Sequence, residues 1–204
     1  MTLSEFDNEI RKDHNVVCGC DEAGRGPLAG DVFAAAVIFD KDTVIEGIND
    51  SKKLTAKKRE ELFDEIMEKA VDFSIQTATV EEIEDINILN AAMLAMKRAV
   101  EDMDTKPDVC LIDGNKTPEG LECPAIAVVK GDAKSQAVAA ASILAKVARD
   151  RHMEQMAEQY PEYRFEKHKG YGTKLHYQMI DQYGPCGIHR MSFLKKYYAK
   201  KNGH

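Results

Sequence analysis

Five β-prone segments occur along the chain, and their order relative to the helical segments constrains the fold more than any other feature. Two of them, 15–20 and 31–39, follow each other with only a glycine-rich turn between them. The other three, 73–78, 109–112 and 125–129, alternate with segments that have helical patterns. This order predicts an α/β fold in which a mixed five-stranded sheet is flanked by helices.

Three helical segments accompany these strands. Residues 55–70 have an amphipathic pattern, and a capping box formed by Thr79 and Glu82 begins a second, longer helix. The alanine-rich segment 132–159 predicts a third long helix, because alanine has the highest helix propensity. After residue 160, glycines and prolines alternate with short helical pieces, which predicts a helical C-terminal extension.

Charge is distributed unevenly between the body of the chain and this extension. The 204 residues carry a net charge of −7. Residues 164–204 contain nine lysines or arginines and two acidic residues, a balance of +7, so the first 163 residues carry −14. A basic segment on an acidic body suits contact with a polyanion, although charge alone is more typical of an ordinary solvated surface. We expect a single domain over 1–204, of which about 160–204 is the basic extension.

Composition also predicts the compartment. The longest apolar runs, 32–39 and 137–145, are far shorter than the roughly 20 residues of a membrane span. The first residues lack the basic and apolar stretches of a signal peptide. The five cysteines are an odd number of scattered residues, which argues against a disulfide framework. We therefore expect a soluble protein of a reducing compartment, the cytoplasm.

Two adjacent carboxylates, Asp21 and Glu22, follow the first apolar strand and precede a glycine-rich turn. Like charges at close range favour protonation unless a cation lies nearby, and oxygen donors of this kind suit Mg²⁺ or Mn²⁺. Neighbouring residues of a strand point to opposite faces, so both can reach one ion only if the strand ends at this pair. A solvated turn is the alternative for the pair taken alone.

Two further aspartates lie beside predicted elements. Asp113 ends the strand 109–112, and the carboxyl ends of strands are where α/β sheets usually bind ligands. Asp132 immediately precedes the alanine-rich helix. Each has a purely structural alternative, an Asp-Gly turn for Asp113 and a helix N-cap for Asp132.

Seven motifs together resemble one family, ribonuclease HII, the type 2 ribonucleases H. They are CDEAGRGPLAG (20–30), NDSKKL (49–54), LIDGN (111–115), KGDAKS (130–135), AAASILAKVARD (139–150), HKGYGT (168–173) and HRMSF (189–193). They occur in the order of the family and span roughly residues 15–195, so the resemblance is specific.

The resemblance implies a ribonuclease H-like sheet and an endoribonuclease that hydrolyses the RNA strand of RNA–DNA hybrids. It also implies incision 5′ of single ribonucleotides embedded in duplex DNA, leaving a 3′-hydroxyl and a 5′-phosphate. Two divalent ions, Mn²⁺ or Mg²⁺, are implied during catalysis, held by Asp21, Glu22, Asp113 and Asp132. The partners are then nucleic-acid duplexes of these two kinds, and we expect a monomer that contacts no membrane.

The same resemblance also implies which residues bind the substrate. The ribonucleotide-reading loop of the family corresponds to Gly24, Arg25 and Gly26, and its sugar-stacking tyrosine corresponds to Tyr171. Glycines let backbone amides approach a sugar closely, and the 2′-hydroxyl distinguishes RNA from DNA. Ser51 and Lys52, with the neighbouring lysine, are expected to contact phosphates, which positions substrate without reading sequence.

One departure, one further carboxylate and two alternatives accompany the resemblance. Asp31 stands where the family pattern has proline, which adds a carboxylate that could alter metal affinity or pH dependence. Asp150 is expected to pair with Arg149 or Arg151 rather than bind metal. A ribonuclease HIII is the alternative within the superfamily, although that family usually has an additional N-terminal domain. A non-catalytic nucleic-acid-binding module is the alternative from another class, and four acids beside a polyanion argue against it.

Overall fold

The computed structural model describes residues 1–48 and 54–202, so Ser51 and Lys52 lie outside the described residues. Five strands form one sheet in the spatial order β3-β2-β1-β4-β5. The strands are β1 (Val17–Ala23), β2 (Val32–Ile38), β3 (Asp72–Ala78), β4 (Val109–Asp113) and β5 (Ala125–Val128). β1 pairs antiparallel with β2 and parallel with β4, so the predicted mixed five-stranded sheet is confirmed.

Seven helices accompany the sheet within the described part of the chain. They are α1 (Leu3–Ile10), α2 (Ala56–Lys69), α3 (Val80–Glu101), α4 (Gln136–Gln159), α5 (Phe165–His168), α6 (Lys174–Tyr183) and α7 (Met191–Asn202). Short 3₁₀ turns span Gly131–Ala133 and Pro161–Tyr163. The C-terminal region is helical, as predicted. No helix in the described ranges is long and apolar enough to span a membrane.

The helices cover the two faces of the sheet. Cys18 and Cys20 of β1 face the cluster that α3 covers, whereas Ala35 and Val37 of β2 face α2 and α4. Gly19 lets α4 approach β1 closely, because a Cβ there would lie 2.2 Å from the carbonyl carbon of Ala137. The close approach places the following turns of α4 beside the carboxyl end of β1.

Two boundaries differ from the sequence predictions. β1 continues to Ala23, because Glu22 and Ala23 pair with β2, so the strand does not end at the carboxylate pair. α4 begins at Gln136, and its N-cap is Ser135, whose hydroxyl accepts the N–H of Val138 at 3.2 Å. The helical start at 132 and the N-cap alternative for Asp132 were therefore wrong.

The long helix α3 contains a break that its sequence pattern does not reveal. Asn87 has a left-handed φ of 68° with ψ of 162°, outside the helical region. Its side-chain oxygen accepts the N–H groups of Leu89 and Asn90 at 3.0 and 3.2 Å, as a helix cap does. The predicted single helix therefore consists of two helical pieces joined at Asn87.

Candidate active site

A cleft of about 230 Å³ opens at the carboxyl ends of β1 and β4. Carboxylates, backbone of the glycine-rich turn, one face of α4 and an aromatic ring line it: Asp21, Glu22, Ala23, Gly24, Arg25, Gly26, Asp113, Ser142, Lys146 and Tyr171. Three of the four predicted carboxylates, the predicted reading loop and the predicted tyrosine therefore surround one space.

Asp21 is the most deeply buried of these carboxylates, with 5% of its surface exposed. Its Oδ1 accepts the backbone N–H of Glu22 at 2.7 Å, and its side chain also hydrogen bonds to Ser142 of α4. Burial raises the pKa of Asp21 well above its usual range, and the negative charges of Glu22 and Asp113 raise it further. The three carboxylates thus repel one another in a poorly solvated place.

Glu22 occupies the opposite face of β1 and still reaches the cleft. Its side chain is only 12% exposed, and its Oε1 accepts from Arg25 Nη1 at 3.2 Å. The Arg25 side chain is 52% exposed, so water screens its end of the ion pair and the pair contributes little to stability. Arg25 therefore brings a positive charge to the rim of the cleft.

Asp113 is tied to the turn that carries the fourth predicted carboxylate. Its Oδ1 accepts the backbone N–H of Gly131 at 2.6 Å. Asp132 follows in the 3₁₀ turn 131–133 and is 7% exposed, but it is not among the residues that line the cleft. The structure thus brings Asp21, Glu22 and Asp113 together and places Asp132 on an adjoining buried turn.

The turn after β1 presents backbone to the cleft beside an exposed ring. Gly24 has a φ of +104°, and a Cβ there would lie 2.3 Å from Arg149 Nε, so only glycine fits. A Cβ on Gly26 would lie 3.7 Å from the ring of Tyr171, an ordinary contact. Tyr171 is 41% exposed, and Lys146 and Arg149 lie 5.9 and 5.8 Å from its ring centroid.

The chemistry of the carboxylates fits a hard divalent cation. All donors are oxygen atoms, as Mg²⁺ and Mn²⁺ prefer, and the mutual repulsion around Asp21 is what a cation relieves. Across residues 1–48 and 54–202, no group of three or more His, Cys, Asp or Glu side chains is already arranged to hold a metal ion. The carboxylate donors therefore suit such an ion in type.

Comparison with known proteins decides the family. The sequence model of ribonuclease HII matches residues 18–196. The chain belongs to the ribonuclease HII family. It is accordingly a ribonuclease H enzyme, with ribonuclease H activity on RNA–DNA hybrids.

Curated relatives match nearly the whole chain. A ribonuclease HII of Caldicellulosiruptor saccharolyticus is 54% identical over 189 residues, which cover 93% of this chain and 92% of the relative. A ribonuclease HII of Idiomarina loihiensis is 58% identical over 178 residues, which cover 87% and 95%. The likeness therefore extends well beyond the site motifs.

Solved structures confirm the ribonuclease H-like fold. The ribonuclease H2 of Pyrococcus horikoshii superposes with a TM-score of 0.75 at 28% identity, covering 93% of this chain and all of that chain. The RNase HII of Archaeoglobus fulgidus, solved as a PCNA complex, gives 0.67 at 25% identity, covering 86% and 94%. A Bst-RNase HIII solved with Mn²⁺ gives 0.66 at 18% identity, covering 83% and 63%, and shares the fold.

Two residues that line the cleft of this enzyme were not predicted from the sequence. Ser142 and Lys146 lie four positions apart on α4, so they share the face that points toward Asp21. Lys146 Nζ donates to Asp150 at 2.6 Å, so the expected pairing of Asp150 with a neighbouring arginine was wrong. Polar residues at four-residue spacing in the otherwise apolar stretch 137–148 were the available signal.

Asp31 does not face the carboxylates of this enzyme. Its Oδ1 accepts the backbone N–H of Val80 at 2.9 Å, at the first turn of α3, and it is not among the residues that line the cleft. Burial raises the pKa of Asp31. The sequence predicted that Asp31 adds a carboxylate near the site, but its side chain contacts a helix end rather than the cleft.

Three buried histidines support the segment that carries Tyr171. His189 Nδ1 accepts the N–H of Cys186 at 2.9 Å, so its Nε2 must donate to His176 Nε2, which lies 3.0 Å away. His176 Nδ1 then donates to the carbonyl of Tyr171 at 3.0 Å, and His168 stacks on His176 at 4.3 Å. Every ring nitrogen in this chain of hydrogen bonds has a partner when both rings are neutral.

Proposed function

We propose that this ribonuclease H incises 5′ of single ribonucleotides embedded in duplex DNA, in addition to hydrolysing the RNA strand of hybrids. Each cut would leave a 3′-hydroxyl and a 5′-phosphate. The observation that carries the proposal is that one cleft of about 230 Å³ is shared by three carboxylates, the backbone of the glycine-rich turn and Tyr171. Cleavage and ribose recognition can therefore act on the same nucleotide.

The carboxylates form the hydrolytic half of the cleft. In this proposal Asp21, Glu22 and Asp113 hold two divalent ions, Mg²⁺ or Mn²⁺, with Asp132 contributing from the adjoining turn. When bound, such ions supply water activation and charge neutralisation for phosphodiester hydrolysis. Ser142 orients the Asp21 carboxylate through its hydrogen bond, and the Asp113–Gly131 bond keeps the turn of Asp132 beside β4.

The glycine-rich turn and the tyrosine form the recognition half. Gly24 and Gly26 expose backbone without an intervening Cβ, so amide groups can reach the 2′-hydroxyl that marks a ribonucleotide. The exposed ring of Tyr171 can stack on the adjoining sugar. Lys146 and Arg25 bring positive charge to the same cleft, which favours the phosphates on either side.

The remaining parts of the proposal concern the duplex and its setting. The basic C-terminal segment would contact phosphates along the duplex, and α7 presents exposed Lys195 and Lys196 for this purpose. Ser51 and Lys52 stay predictions for phosphate contact. All five cysteines are free thiols, in keeping with a monomer working in the reducing cytoplasm.

Mapping one nick tests the proposal most directly. The enzyme is incubated with Mg²⁺ or Mn²⁺ and a DNA duplex that bears one ribonucleotide, and the products are sized against a long RNA–DNA hybrid. Incision 5′ of the ribonucleotide is expected, and Asp113→Asn, which keeps shape and removes charge, should lower it by orders of magnitude. Cleavage confined to the hybrid would indicate a ribonuclease HIII-like specificity and contradict the proposal.

Tyr171→Ala separates recognition from hydrolysis. Stacking of this kind contributes roughly 1–3 kcal/mol, so we expect incision at a single ribonucleotide to fall by about 5- to 150-fold. A long hybrid offers many productive positions, so its cleavage should fall much less. Equal losses on both substrates would indicate a packing role for Tyr171, and no loss would remove it from the site.

A further inference from the structure

Arg190 lies directly beneath the glycine-rich turn and is completely buried. It follows His189, which bridges to Ala29, and its own backbone N–H donates to the carbonyl of Leu28 at 2.8 Å. Within the described chain it forms no ion pair with a carboxylate closer than 4.0 Å. A buried cation without an anion must be stabilised by dipoles, and the surrounding backbone supplies them.

The guanidinium uses all five of its N–H groups on the carbonyls of this turn. Nη2 donates to Gly24 at 2.7 Å and to Gly30 at 2.6 Å. Nη1 donates to Arg25 at 3.2 Å and to Pro27 at 2.9 Å, and Nε donates to Gly30 at 2.9 Å. One rigid fork therefore fixes the orientation of four peptide groups in a seven-residue segment.

Two of these peptide groups belong to the cleft. All peptide bonds of the described chain are trans, so each N–H points opposite to the carbonyl of the same peptide plane. Because the carbonyls of Gly24 and Arg25 point inward to Arg190, the N–H groups of Arg25 and Gly26 point away from it. Neither N–H donates to any acceptor in the described part of the chain, and both residues line the cleft.

We propose that Arg190 is a positioning residue that holds the amide N–H groups of Arg25 and Gly26 toward the ribose oxygens of the substrate. The inference rests on the proposed function and adds the residue that sets its discrimination. A cation on the carbonyl side of a peptide also polarises the N–H on the other side, which strengthens that donor. Burial and the charge of Arg149 lower the pKa of Arg190 to about 9, so the guanidinium stays charged at neutral pH.

Arg190→Lys is the perturbation that isolates this role. Lysine keeps the charge but offers three donors from one point, so it cannot reach four separate carbonyls. Affinities are measured without divalent metal for two duplexes that differ only in one ribonucleotide or deoxyribonucleotide. We expect the variant to lose about tenfold of the preference for the ribonucleotide, the effect of one or two hydrogen bonds, with little change for all-DNA duplex.

The outcomes separate this inference from the proposed function. Failure of the parent enzyme to incise the single-ribonucleotide duplex with metal would refute the proposed function itself, whereas incision without any binding preference in the parent would refute the amide contact that Arg190 is proposed to hold. A parent preference that Arg190→Lys retains would refute the positioning role alone, and an equal loss on both duplexes would assign Arg190 to general stability.

A second measurement on the parent enzyme applies even if the variant does not fold. The backbone amide signals of Arg25 and Gly26 are followed by ¹⁵N NMR while each duplex is added without metal. Both signals should shift and become protected with the ribonucleotide duplex more than with the all-DNA duplex. Signals that respond equally to the two duplexes would overturn the inference.

Discussion

Acidification should destabilise the enzyme through the buried histidines that support Tyr171. Burial is the main cause that lowers the pKa of His176 and of His189, each to about 4 from an ordinary value of 6.5. Protonating either ring would also place a hydrogen on a nitrogen that already accepts a hydrogen bond. The native state thus binds fewer protons than the unfolded chain between about pH 6.5 and pH 4, and its stability falls as pH falls through this window.

The magnitude follows from the difference between the two pKa values. For a group that titrates near 6.5 unfolded and near 4 folded, lowering the pH from about 7.5 to about 5.5 reduces the free energy of unfolding by about 1.4 kcal/mol. His176 and His189 together should contribute about 3 kcal/mol, a large part of the stability of a typical domain.

Urea unfolding curves at the two pH values provide the assay, with His176→Gln as the decisive variant. Glutamine can still accept from His189 and does not titrate, so the loss on acidification should be about 1.4 kcal/mol smaller than in the parent. His14→Gln, which lies outside the cluster, serves as the matched control. A pH dependence that is the same in all three proteins would refute the reasoning.

Three further perturbations test other parts of the structure. Gly26→Ala should leave the free energy of unfolding within about 0.5 kcal/mol of the parent, since the added methyl group meets only an ordinary contact. The same variant should reduce ribonucleotide incision more than tenfold, and unchanged incision would show that the sugar does not bind at Gly26. If Lys195 and Lys196 both contact phosphates, replacing them by glutamate should reduce the slope of log binding constant against log salt concentration by about 2. An unchanged slope would show that α7 does not contact the duplex. Asp31→Ala should cost about 1 kcal/mol of unfolding free energy, from the lost hydrogen bond, without altering the Mn²⁺ dependence; a changed metal titration would bring Asp31 back to the site.

The sheet could be predicted from local patterns in the sequence, whereas most of the site followed from the resemblance to the ribonuclease HII family. The order of the β-prone segments, two in succession and three separated by helices, predicted the mixed sheet. The position of Asp113 at the end of a strand predicted that it lies at the cleft. The break at Asn87 could not be foreseen, because one asparagine within a helical pattern carries no distinct signal. The continuation of β1 through Glu22 depends on pairing with β2, which is a tertiary effect.

The role of Arg190 was also beyond the sequence. The sequence places Arg190 in the motif HRMSF but gives it no role, and only the fold brings it 2.7 Å from a carbonyl 166 positions earlier. The same limitation applied to Asp31, whose partner Val80 is 49 positions away. A side chain that hydrogen bonds to backbone far away in the sequence leaves no periodic pattern from which the contact could be predicted.

The covering of the sheet by α4 has a consequence for how the chain is assembled during synthesis. β1, β2 and β3 are consecutive and can pair as soon as they leave the ribosome, whereas α4 ends only at Gln159. Until then α2 alone covers the face of the sheet that packs against α4, and the small side chain of Ala35 limits the apolar area exposed there. Because α4 also carries Ser142 and Lys146, the docking event that closes this face also adds one wall of the cleft, and the later segment that carries Tyr171 completes it.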